Sequence, residues 1–352
     1  MSRQLYSVVT AAIIAAGCSP RTNRSTAPQA VRPLPKSVHG ATVRPVGDDR
    51  RGYGTRTARQ TFARLKTLGV NTVSILMEGR MHRLDDTDIL APSRDDLEAV
   101  RAALFDAHDL GLHTILVPHL YIEDGTWRGR IQFEDSEDAD RWWASYGRFM
   151  HQAATLASES GASLLSVGVE LKSLSGRSDA RERFGALVDD LRRSYSGPLT
   201  YSANWDEAEQ VVFWDMIDLV GVNGYYPLEP DPFRGAGTVA RRLTALARKA
   251  GRPVLVVEVG YRSSPLSHKR PWEWPVDVEP VVDDAAQSKA WAAVLTHWLG
   301  AEGIKGLCVW VVPTDPDDPA SEPRHGFNPL NKPAAQILAR AFGGAVAPTE
   351  AR

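Results

Sequence analysis

The chain has 352 residues, of which 43% are hydrophobic and 24% charged, and its formal net charge is −2. That is globular composition with room for one large domain or two ordinary ones, and the spread of both charge signs argues against a nucleic-acid-binding role. Two cysteines exclude a disulfide framework, and ten tryptophans are many for this length: indole faces stack on sugar rings, but they also fill cores.

In chain order, Arg3 precedes an apolar run over 5–16 that is too short to span a bilayer. The run ends Ala15-Ala16-Gly17-Cys18, which resembles a bacterial lipoprotein signal in which Cys18 receives the lipid. The alternative is an ordinary signal peptide with an incidental cysteine. Ser19, rather than Asp, after the lipid site favours the outer membrane. Residues 19–36 are Ser, Thr, Pro, Arg and Asn with little apolar content, the composition of a disordered tether. A folded domain is expected over 37–345, with a short tail over 346–352. Membrane contact is expected only through the lipid, at the cell envelope.

Strand-like runs follow at 38–43, 70–77, 113–120, 164–170, 199–204, 219–226, 253–260 and 306–312. Helical patterns lie between them at 58–68, 94–110, 138–159, 179–195, 239–250 and 284–299, with a last one at 333–342. Gly69, Gly111, Gly161 and Gly251 sit just past helix ends, where a left-handed cap is common. Eight strands alternating with helices predict an α/β fold, a (β/α)8 TIM barrel. An open doubly wound sheet is the alternative, but no glycine-rich phosphate loop follows the first strand. Two long loops, 262–283 and 313–332, follow late strands and would wall a cleft on the catalytic side.

Glu170 ends the fourth strand and Glu258 lies at the tip of the seventh. Alternation gives Glu170 the same inward face as Ser166 and Gly168, and gives Tyr225 the face of Asn223 and Gly221. Trp310 shares its face with Cys308, which reads as a small buried hydrophobe. An inner top layer of Glu170, Tyr225, Glu258 and Trp310 is polar and aromatic where a core would be aliphatic. Glycosidic bond cleavage needs a proton for the leaving oxygen and stabilisation of an oxocarbenium-like centre. Two carboxyl groups about 5–5.5 Å apart supply both with retention, and a gap of about 6.5–9.5 Å gives inversion. Glu170 is therefore assigned as general acid/base, with a proton affinity raised by burial and by its neighbour, and Glu258 as nucleophile. The competing reading is a pair of structural glutamates bound to Lys172 or Arg262. No metal-ligand spacing, nucleotide loop or nucleophile elbow is present, so no cofactor is expected.

Six runs carry a resemblance to glycoside hydrolase family 113: TWRGRI (126–131), SVGVELKSL (166–174), PLTYSANWDE (198–207), FWDMIDLVGVNGYYPL (213–228), VVEVGYRS (256–263) and GFNPLNKPAAQIL (326–338). The resemblance covers about 38–342. It implies a retaining (β/α)8 glycosidase of the β-mannanase type, with acid/base at Glu170 and nucleophile at Glu258. Many members of the wider clan carry Asn before the acid/base, where it binds the sugar 2-hydroxyl; here that residue is Val169. Asn204 and Asn223 are the candidates to replace it. Tyr225 or Tyr226 is a candidate donor to Glu258, or a core tyrosine reaching a carbonyl. Trp310 resembles a clan tryptophan that floors the cleavage subsite. His119, at the tip of the third strand, lines the same subsite or bonds a neighbouring loop. Trp127 and Trp205 are candidate outer platforms, and Trp272 and Trp274 candidate binding surface in a Pro-rich loop. At least one of Trp142 and Trp143 is expected in the core. The implied partner is a β-1,4-mannan or its oligosaccharides. Another β-glycan, or carbohydrate binding by a degenerate site, remains open.

Overall fold

A computed structural model describes residues 29–47, 50–274 and 281–346. The expected signal segment with Cys18, the tether as far as residue 28 and the tail from 347 lie outside the described residues. The first half of the fold runs β1 (Val38–Arg44), α1 (Arg56–Thr67), β2 (Thr72–Met81), α2 (Arg94–Asp109), β3 (His113–Ile122), α3 (Ser136–Ser160), β4 (Leu164–Val169) and α4 (Lys172–Ser175). The second runs α5 (Ala180–Ser194), β5 (Leu199–Asn204), β6 (Leu219–Asn223), α6 (Pro232–Ala250), β7 (Val254–Val259), α7 (Asp284–Trp298), β8 (Ile304–Pro313) and α8 (Pro333–Phe342). All neighbouring strands pair in parallel, and β8 returns to β1, closing an eight-stranded barrel. The predicted (β/α)8 fold is present.

Period-two alternation sorts the strand side chains into two cores. Val38, Leu76, Ile115, Val117, Leu164, Leu219, Leu255, Val257 and Cys308 fill the barrel interior. The opposite faces pack on the helices in a larger cluster that includes Trp142, with Trp143 half-buried beside it. Helix starts are set by local chemistry: Ser93 and Asp96 form a capping box on α2, and Asp231 caps α6, whose first residue is proline. Gly161 and Gly251 take the left-handed conformation at the ends of α3 and α6. Among the described residues no helix is long and apolar enough to cross a membrane. Residues 29–36 are coil laid against the barrel floor, where Leu34 packs on the interior cluster and Arg32 donates to Leu112 O.

Of the boundaries that differ from the sequence reading, four have a structural cause near the site or a cap. β2 runs on to Met81 because its last residues stay in register with β3, and Arg80 also bridges to Leu90. β6 stops at Asn223, just after its register with β7 shifts between Val222 and Asn223. α6 begins seven residues early, at its Asp-Pro cap. β4 stops one residue short of Glu170, which adopts φ +51°, outside any strand conformation.

Candidate active site

The C-terminal ends of the strands build the site, and register fixes which side chains meet there. Glu78 pairs with His119 across β2 and β3, Asn204 with Asn223 across β5 and β6, and Asn223 with Glu258 across β6 and β7. Glu78 and His119 each follow an interior residue by two positions, so both face the barrel mouth.

Glu170, 8% exposed, is held by three donors. Trp127 Nε1–H donates to Oε2 at 2.8 Å, Arg128 Nη2 donates to the same oxygen at 3.1 Å, and Asn223 Nδ2 donates to Oε1 at 2.9 Å. Arg128 also donates through Nε to Val169 O at 3.1 Å, so one guanidinium grips both the carboxylate and the strand end beneath it. A short 3-10 turn over Arg128–Arg130 presents it. Gly129 permits that turn, because a side chain there would overlap the Trp127 ring; Ser173 Oγ ties the Gly129 carbonyl to α4 at 2.7 Å.

Glu258, 5% exposed, accepts from Tyr225 OH at 3.0 Å. Burial and the nearby charge of Glu170 push its carboxyl up to about 8, against the opposing pull of Arg128, Tyr225 and Asn223. The Arg128 guanidinium lies 3.1 Å from the Glu170 carboxylate. Burial, with Arg128 as a lesser cause, holds His119 well below its usual range, as a neutral imidazole.

The other candidates separate into two aromatic walls. Tyr225 packs edge-on to Phe327, and Phe327 lies tilted 5.6 Å from Trp274, which is also 5.6 Å from His325 and against the Arg262 guanidinium. Tyr226 is buried, packs edge-on to Trp205 and sits under Arg242; Trp205 stacks on Trp272 at 5.2 Å. Of the two tyrosines, Tyr225 reaches Glu258. Asn204 Nδ2 bonds Asp206 while its Oδ1 accepts from Trp205 N–H, so this side chain serves its own turn and Asn223 is the amide at the carboxylates. Trp127 stands at Glu170 rather than out along the cleft. Trp310 is partly buried against the interior cluster. Lys172 pairs with Asp206 at 2.6 Å and Arg262 bonds Ser264, so neither proposed structural partner touches the two glutamates.

Arg128 and Glu78 were missed in the sequence. Glu78 was legible in principle, being two residues beyond inward Leu76 on a strand that was drawn too short. Arg128 lies in the TWRGRI run, but a loop arginine shows its target only in three dimensions. Among the described residues no group of three or more His, Cys, Asp and Glu side chains is arranged to hold a metal ion.

A closed parallel barrel with two buried, coupled carboxyls at the tips of β4 and β7 is the layout of a (β/α)8 glycoside hydrolase. The sequence model of Glycoside Hydrolase Family 113 matches residues 46–326, and the chain belongs to that family and is a glycoside hydrolase. Among solved structures, the GH113 β-mannanase AaManA from Alicyclobacillus acidocaldarius, in complex with ManMIm, is similar at 28% identity and TM-score 0.76, over 87% of this chain and 97% of that one. A GH113 β-1,4-mannanase shares the fold at 21% identity and TM-score 0.78, over 88% and 100%. A family 5 mannosidase from Rhizomucor miehei shares it at 11% identity and TM-score 0.64, over 88% and 93%. No curated protein sequence matches the chain.

Proposed function

We propose that the chain is a retaining β-1,4-mannanase, with Glu170 as acid/base and Glu258 as nucleophile. The observation that carries this reading is the pair of buried carboxyls at the ends of β4 and β7 in one barrel mouth, Glu170 held by Asn223 and Glu258 by Tyr225. The mannan substrate follows from family membership together with the β-mannanase named in the similar structure.

Glu258, anchored through one oxygen by Tyr225, attacks the anomeric carbon with the other. As positive charge develops on the sugar, the Glu258 carboxylate bonds the anomeric carbon and Glu170 gives its proton to the leaving oxygen. Arg128 and Trp127 stabilise the Glu170 carboxylate that proton donation leaves behind. Glu170 then takes a proton from the water that hydrolyses the glycosyl–Glu258 ester. Neutral His119 and Glu78 border the same space and offer hydrogen bonds to sugar hydroxyls. The N-terminal reading is kept as part of the proposal: a lipid on Cys18 anchors the domain at the cell envelope.

The test is a soluble domain from Ser37 onward, incubated with defined β-1,4-manno-oligosaccharides and a panel of other β-glycans. Parent, Glu170→Gln and Glu258→Gln run in parallel, with product anomers followed by proton NMR. First release of the β-anomer from manno-oligosaccharides, with losses of at least about 100-fold in both variants, is the expected result. Turnover only of another glycan would discard the substrate and keep the mechanism. Binding without turnover in all three proteins would make this a carbohydrate-binding protein.

A further inference from the structure

Glu170 is one of three non-glycine residues with positive φ among the described residues, and nothing in its own side chain favours that backbone. Such a conformation persists only where its surroundings impose it. Its own N–H donates to Ser202 O at 2.8 Å, and the next N–H, Leu171, donates to Tyr201 OH at 2.8 Å. Tyr201 OH in turn donates to Glu207 Oε1 at 2.5 Å, the oxygen that also accepts from Ser175 Oγ at 2.5 Å. The second oxygen of Glu207 accepts from Asn204 N–H at 3.0 Å. One carboxyl, 2% exposed, thus joins the segment after β4 to the segment after β5.

The link is stiff. Tyr201 is wholly buried in a box of Phe184, Phe213 and Trp214 rings with centroids 5.3, 5.3 and 6.1 Å away. Gly168 lets it lie close under β4, since a side chain there would come within 3.0 Å of its ring. Burial pushes the Glu207 carboxyl up to about 7, opposed by its three donors. A buried carboxyl satisfied this fully, and lying outside the sugar-facing layer, is arranged to hold something in place.

We propose that Glu207 and Tyr201 form a buried strut that fixes the backbone at Glu170 and so aims its carboxyl at the glycosidic oxygen. Both are positioning residues for the acid/base step, and the inference rests on the reading of Glu170 as the acid/base. An acid displaced by about an ångström loses most of its effect on a leaving group that needs a proton. A leaving group that departs as a stable anion is indifferent to it.

The experiment compares kcat/KM for a β-1,4-manno-oligosaccharide with that for the corresponding 2,4-dinitrophenyl β-glycoside. Parent, Glu207→Gln, Tyr201→Phe and Glu170→Ala are measured, each checked by circular dichroism. The strut variants are expected to lose about 10- to 100-fold on the oligosaccharide and less than about threefold on the dinitrophenyl substrate. Equal losses on both substrates, or no loss on either, in the folded Tyr201→Phe protein would overturn the proposal, whether or not Glu207→Gln folds. Glu170→Ala keeps the two failures apart. Selective loss there with none in the strut variants sinks the strut alone, whereas equal loss in Glu170→Ala removes the acid/base reading beneath it.

Discussion

At the residue scale, the site turns on where one proton and one guanidinium sit. Arg128 lies 3.1 Å from Glu170 and also lowers the proton affinity of Glu258, so it acts on the pair as a whole. Coupled carboxyls titrate with macroscopic values that belong to both, and the singly protonated pair is the working form. Removing the cation makes each proton harder to lose. Arg128→Met, which keeps much of the apolar bulk, is therefore expected to move the whole bell of kcat/KM against pH upward by about one unit. Its alkaline limb should start from near 8, the value to which Glu258 is raised. The same variant should lose activity most at acidic pH, where the pair already holds two protons. A profile recorded from pH 4 to 10 checks this, and limbs that stay fixed would mean that Arg128 only orients Glu170.

Between strands, space is as specific as charge. Gly221 on β6 faces the interior, and a Cβ there would sit 2.5 Å from Tyr201 O and 2.6 Å from Thr200 Oγ1 on β5. The hydroxyl is not free to yield, because it donates to Leu219 O at 3.0 Å. Gly221→Ala must push β5 outward and is expected to destabilise by about 1–3 kcal/mol, as overpacking does in other close-packed cores. Urea unfolding measures it, and parental stability would show that β5 shifts freely. Alternation, Gly stops and Asp or Ser caps made most elements of this fold readable, and gave Asn223 the inward face of Leu219. The breaks in alternation were not readable. The register shift between Ser166 and Val169, the left-handed turn at Glu170 and the register shift between Val222 and Asn223 arise where neighbouring strands pair. The Trp127–Arg128 turn was quoted in the sequence as a shared run, yet its contact with Glu170 spans more than forty residues and leaves no local trace.

Over the whole molecule, the catalytic pair is a liability to the fold. Glu258 ionises near its ordinary value of 4.5 when unfolded and only at about 8 when buried beside Glu170. Between those values the native state holds a proton that the unfolded state has released. Stability from this group is thus fully present below pH 4.5 and is lost as pH rises through 8, with a slope of up to about 1.4 kcal/mol per pH unit. Buried His119, whose proton affinity is lowered, works in the opposite sense and destabilises the fold below its ordinary value of 6.5. The net curve of the parent therefore mixes both, and a difference between two proteins isolates the carboxyl. Glu258→Gln keeps the shape and an oxygen able to accept from Tyr225, and it removes the titration. Its melting temperature should match the parent's most closely at pH 4 and exceed it by a widening margin towards pH 8, while activity is lost throughout. Calorimetry of both proteins across that range decides it. A margin that stays flat would mean that Glu258 ionises in the fold as it does in the unfolded chain.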